Sequence, residues 1–203
     1  RDGEALSVSG LRALTVREQV SLLRHWLSDA GITPPSTLRL AEALRQVMTA
    51  DGDHLPAIVW GEHALRRYQA RLFVTPAAVP ALGAPQDWRI AVGSRLDLGA
   101  GLGALRWVAQ PGGLDGERLP SVLSVRRRSG GEALKAAERA RTQSVQHLCQ
   151  TMGVLPWMRD ALPMLYAADE LIAIGDIWQD ARWRVRPGAP GFGCVWEDAP
   201  ALT

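Results

Sequence analysis

The sequence predicts an α+β protein in which a small helical domain over residues 1–82 is followed by an α+β domain over residues 83–203. Apolar residues recur at helical spacing through the first fifty positions, and the period then falls to two. After the first of these alternating segments, residues 75–87 carry Pro76, Pro80, Gly83 and Pro85 among small side chains, as a domain boundary would. With 203 residues, 47% of them hydrophobic and 22% charged, the chain is long enough to hold itself by burial alone. It needs no disulfide framework and no structural metal.

The first helix opens at Thr15, with Glu18 three residues on completing a capping-box pattern. Val16, Val20, Leu23 and Leu27, with Gln19, Leu22 and Trp26 beside them, form its apolar stripe, and Gly31 stands where it should stop. Pro34, Pro35 and Ser36 open a second helix carrying Leu40, Ala41, Leu44, Val47 and Met48. The short turn between them predicts an antiparallel pair. Residues 57–60 and 65–74 then alternate as two strands about a Gly61-Glu62 turn.

In the second domain, strands are expected over 88–92, 95–98, 105–108 and 122–128, with the glycine-rich 99–103 as a hairpin turn. Val145, Leu148, Cys149 and Met152 share one face of a helix that Gly153 ends, and Pro156 begins a short helix reaching Ala161. Residues 164–166, 171–174 and 193–196 read as strands of one sheet system.

Catalytic motifs are lacking. His25, His54, His63 and His147 have no metal-ligand spacing, and Cys149 lies on an apolar face where a structural thiol is expected. Residues 99–103 miss the spacing of a dinucleotide loop. Ser129-Gly130-Gly131 begins like the pyrophosphate loop of adenylating enzymes, but Ala133 and Leu134 stand where Asp and Ser belong. No nucleophile elbow and no membrane-length apolar run is present. Two cysteines without CxxC spacing fit a reducing, cytoplasmic setting. A chain opening at Arg1 is expected to be a piece of a longer protein.

Charge is unevenly spread. Residues 1–117 carry 12 basic and 12 acidic side chains, residues 118–159 carry 8 and 2, and residues 160–203 carry 3 and 7. The middle stretch therefore stands at +6 and the tail at −4. Strand alternation over 122–128 places Arg126 and Arg128 on one face and Arg127 on the other. Lys135, Arg139 and Arg141 follow on a loop, and Arg159 sits in the short helix. Such a cluster suits several phosphates, or forms a solvated charged face with no ligand.

The block Gly153-Val154-Leu155-Pro156-Trp157-Met158-Arg159-Asp160, then Leu162-Pro163-Met164-Leu165-Tyr166 and Asp169-Glu170-Leu171-Ile172-Ala173, resembles the C-terminal domain of bacterial tRNA(Ile)-lysidine synthases. Leu22-Leu23-Arg24-His25-Trp26-Leu27 and Leu65-Arg66-Arg67-Tyr68 resemble the middle, substrate-recognition domain of that family. Leu123-Ser124-Val125-Arg126 and Val195-Trp196 fall where its later strands would.

The resemblance implies a C-terminal α+β module similar to one in the phenylalanine-tRNA synthetase β subunit, with an unusual β-sandwich. It also implies an ATP-dependent ligase that attaches lysine to the wobble cytidine of tRNA(Ile) with anticodon CAU. ATP with magnesium, and lysine, would be handled by an N-terminal catalytic domain that this chain does not supply, so the chain alone would be inactive and would bind no cofactor. Its partners would be tRNA(Ile) and that catalytic domain, with no membrane. RNA-binding residues implied in this way are Arg66, Arg67, Arg126, Arg128, Lys135, Arg139, Arg141 and Arg159. Arg159 beside Asp160 also suits a structural ion pair. Gln143, Ser144, Gln146 and His147 replace a basic run that is frequent in the family, and Arg127 replaces a usually apolar residue. The alternative function is a protein-interaction module without RNA binding.

Overall fold

The computed structural model describes residues 5–49 and 57–203, and divides the chain into two compact units, 1–79 and 80–203. His54 lies outside the described residues.

The first unit begins with strand β1 (Ala5–Ser7) and the one-turn helix α1 (Val8–Arg12), followed by helices α2 (Val16–Asp29) and α3 (Thr37–Thr49). The capping box forms as expected: the Thr15 hydroxyl takes the Glu18 N–H, and the Glu18 carboxylate takes the Thr15 N–H at 2.8 Å. Glu18 thereby titrates below the usual range, chiefly through the Thr15 hydroxyl. Leu23 and Leu27 of α2 meet Leu40, Leu44 and Val47 of α3 in one buried cluster. Val16, at the head of the expected stripe, is instead exposed.

Strands β2 (Ala57–Trp60), β3 (His63–Tyr68) and β4 (Arg71–Pro76) complete the unit. The single strand expected over 65–74 is two strands, because Gln69 takes a left-handed conformation (φ 51°) and reverses the chain. Together with β1 they form an antiparallel sheet ordered β1-β4-β3-β2. Leu65 and Leu72 join the helical cluster, so the sheet packs its apolar side chains into the same core as the helices.

The second unit contains β5 (Gln86–Arg89), β6 (Arg95–Asp97), β7 (Ala104–Leu114), β8 (Val122–Arg126), β9 (Ala133–Leu134) and β10 (Gln143–Ser144). Helix α4 (Val145–Met152), a 3-10 helix at Pro156–Ala161, and strands β11 (Met164–Ala167), β12 (Glu170–Ile174), β13 (Trp178–Gln179) and β14 (Phe192–Glu197) follow. A left-handed Gly153 ends α4, as its position predicts. Leu82 is buried and its N–H bonds the Asp160 carbonyl, so residues 80–82 go with this unit.

The strands expected in one sheet system separate into two antiparallel sheets. One is ordered β13-β12-β11-β8-β5 and the other β14-β7-β6, with β9 and β10 a small pair apart. Trp88 of β5 meets Trp107 of β7 edge-to-face at 5.6 Å, and the Trp196 N–H on β14 donates to Asp176 just beyond β12. The apolar faces of the two sheets thus share one core. Residues 99–103 form the expected hairpin turn, and Gly103 is obligatory there: a Cβ would lie 2.0 Å from the Glu197 carbonyl oxygen.

Candidate nucleic-acid interface

The predicted cations fall into two groups by what their side chains already do. In the first unit, Arg66 is half-buried on β3, its Nε donating to Thr75 Oγ1 at 2.9 Å and its Nη2 to the Ala77 carbonyl at 3.2 Å. Burial lowers its pKa. Arg67 donates through Nη1 to the carbonyls of Val47 (3.0 Å) and Met48 (3.2 Å) in the last turn of α3, where partial negative charge collects.

In the second unit, Arg126 ends β8. Its guanidinium lies 4.6 Å from the centroid of the Tyr166 ring, bonds Ser124 Oγ (3.0 Å) and the Ala168 carbonyl (3.0 Å), and reaches Asp169 at 3.6 Å. Strand β8 stops at Arg126, so the alternation does not carry on to Arg128. The Nε of Arg128 is buried without a hydrogen bond, 3.8 Å from the Glu132 carboxylate.

Glu132 occupies the glycine loop that resembles a pyrophosphate site. Its carboxylate accepts the backbone N–H groups of Ser129 and Gly130 and the Ser129 hydroxyl. Burial raises its pKa, but these bonds together lower it more, and it titrates below the ordinary 4.5.

Arg159 is turned inward. It is 9% exposed, with Nε and Nη2 each 3.4 Å from the Val154 carbonyl, because the tight 3-10 turn folds the side chain back over the residues entering it. Its guanidinium makes no ion pair with the exposed Asp160. Among the described residues, the side chains of Arg127, Lys135, Arg139 and Arg141 make no hydrogen bond or ion pair. The backbone of Lys135 is nonetheless fixed. Its N–H donates to the buried Asp180 (3.0 Å), and its carbonyl accepts from Ala181 (2.7 Å). Arg182 closes on the same carboxylate at 2.8 Å, an anchor that sequence reading missed because its partners lie 45 residues apart.

The thiols are structural. Cys194 Sγ bonds the Gly175 carbonyl at 3.0 Å, and burial pushes its pKa up to about 12. Cys149 is buried on α4, and burial raises its pKa too. Among the described residues no cluster of three or more His, Cys, Asp or Glu is placed for a metal, and no helix is long and apolar enough to cross a membrane.

Residues 6–73 match the family model described as the TilS substrate binding domain, and residues 123–196 match the TilS substrate C-terminal domain. The chain belongs to the tRNA(Ile)-lysidine synthase family. A tRNA(Ile)-lysidine synthase of Alkalilimnicola ehrlichii is 33% identical over 189 residues, covering 92% of this chain and 42% of the relative. That of Ralstonia nicotianae is 32% identical over 201 residues, covering 94% and 43%. The chain therefore spans about two-fifths of the length of these lysidine synthases. A solved structure, the crystal structure of a TILS C-terminal domain, matches with a TM-score of 0.45 and 16% identity, covering 56% of this chain and 98% of that one.

Proposed function

We propose that this chain is the tRNA-holding part of a tRNA(Ile)-lysidine synthase. The whole enzyme uses ATP to activate the wobble cytidine of tRNA(Ile) with anticodon CAU and then attaches lysine, in the cytoplasm. The observation that supports this reading best is the order of the two matches: substrate-binding and C-terminal models, on a chain two-fifths the length of its relatives. ATP, magnesium and lysine belong to a catalytic domain of the same protein, the second partner beside tRNA. This chain alone does not complete the reaction, since its one phosphate-loop-like segment is filled by Glu132.

Contact with tRNA falls to Lys135, Arg139 and Arg141, the three residues of the implied RNA-binding set whose side chains have no internal partner among the described residues, through phosphates and 2′-hydroxyls rather than base edges in the deep groove. Titration of labelled tRNA(Ile) at rising salt tests this. For about three to five neutralised phosphates, log K falls against log salt with a slope of about −2 to −4. Replacing Lys135, Arg139 and Arg141 together by Ala is expected to flatten the slope by about two. A folded triple variant with unchanged affinity and slope leaves the protein-interaction reading in its place.

A further inference from the structure

The second unit holds a cavity of about 480 Å³ to which the tRNA-holding role assigns nothing. It is lined by the strap of residues 82–85, apolar through Leu82, Ala84 and Pro85, and by Arg126, Arg127, Ser129 and Tyr166. The volume lies within the range of small-ligand pockets and suits one nucleotide.

Charge narrows the ligand. Arg126 is offset by Asp169, and Arg128 by Glu132. Among the described residues lining the cavity, Arg127 is the cation without an internal partner. One uncompensated positive charge matches the single negative charge of a phosphodiester, and falls short of a diphosphate or triphosphate.

Shape narrows it further. Single-stranded RNA is recognised by stacking of splayed bases on aromatic rings and guanidinium planes. Here the Arg126 guanidinium is already laid on the Tyr166 ring and tied to Ser124 and Ala168, so little ordering cost remains on binding. The strap lining the same cavity adds apolar surface for a base.

We propose that this cavity takes one unpaired nucleotide of single-stranded RNA, with its base against the Arg126–Tyr166 pair and the strap and its phosphodiester on Arg127. The proposal rests on the RNA-binding reading above. Fluorescence anisotropy of the chain with a labelled single-stranded hexanucleotide, and with a blunt two-stranded RNA duplex, tests it. Arg127→Ala is expected to weaken the hexanucleotide about fivefold or more while leaving the duplex within about twofold. Ala84→Phe fills the cavity from an exposed wall position and is expected to do the same, with circular dichroism and Tm unchanged. Equal losses on both RNAs, or no loss in either folded variant, overturn the nucleotide pocket while tRNA binding stands. If the unmodified chain binds neither RNA nor tRNA, the RNA reading itself fails, and the pocket with it.

Discussion

Glu132 shows how one side chain decides what its neighbours are free to do. Its carboxylate takes the donors of a glycine loop whose Gly130 and Gly131 hold positive φ, and keeps Arg128 beside it. A carboxylate whose folded pKa is depressed adds stability above its unfolded pKa, and loses it as pH falls through the folded value. Acidification from about pH 5 downward is therefore expected to lower Tm. The carboxylates of Glu18, Glu42, Asp180 and Glu197, also depressed, contribute to the same fall. Glu132→Gln should cost about 1–2 kcal/mol at neutral pH and flatten the acid limb relative to the parent. Thermal melts of the two proteins between pH 3 and 7 read the difference, and parallel curves would remove Glu132 from this account.

Among elements, those set by local chemistry could be read in advance and those set by distant partners could not. The Thr15 cap, the Gly153 stop and the Pro156 start each depend on a few neighbouring residues, and all three stand where spacing puts them. The reversal at Gln69 escaped because a non-glycine residue holds the left-handed turn. The separation into two sheets escaped because β7 pairs with β14 some 85 residues later, which no local period records. Candidate site residues follow the same division: the basic stretch was legible as charge, but the inward turn of Arg159 and the clasp of Arg67 were not. Gly103 tests an element directly, since its hairpin lets β7 pass within bonding distance of the chain leaving β14. Gly103→Ala forces that backbone apart and gives up a left-handed residue, so a loss of about 3 kcal/mol is expected in urea unfolding. A loss below about 1 kcal/mol would mean that the hairpin shifts freely.

At the scale of the molecule, each unit has its own buried core, and the chain between β4 and β5 is short. Thr75 and Pro76 belong to β4 and Gln86 and Asp87 to β5, which narrows the connection to residues 77–85. Leu82 is pinned within it, with Ala78 and Ala81 exposed before it and Gly83, Ala84 and Pro85 exposed after it, where Pro85 blocks cleavage behind Ala84. Elastase, which cleaves after small residues, is expected to cut first at 78–81 and to leave two fragments that keep their secondary structure. First cleavage inside a helix, or loss of structure on cutting, would argue for a single cooperative unit. The formal charge of residues 118–159 likewise overstates the field outside, since Arg126 pairs with Asp169 of the acidic tail and Arg159 is buried. The arginines of the two most recognisable blocks, Leu65-Arg66-Arg67-Tyr68 and Pro156-Trp157-Met158-Arg159-Asp160, all close on carbonyl oxygens of their own unit. Lineage and charge are thus written in different letters: a descendant stripped of Lys135, Arg139 and Arg141 would keep both blocks and remain a recognisable member of its family.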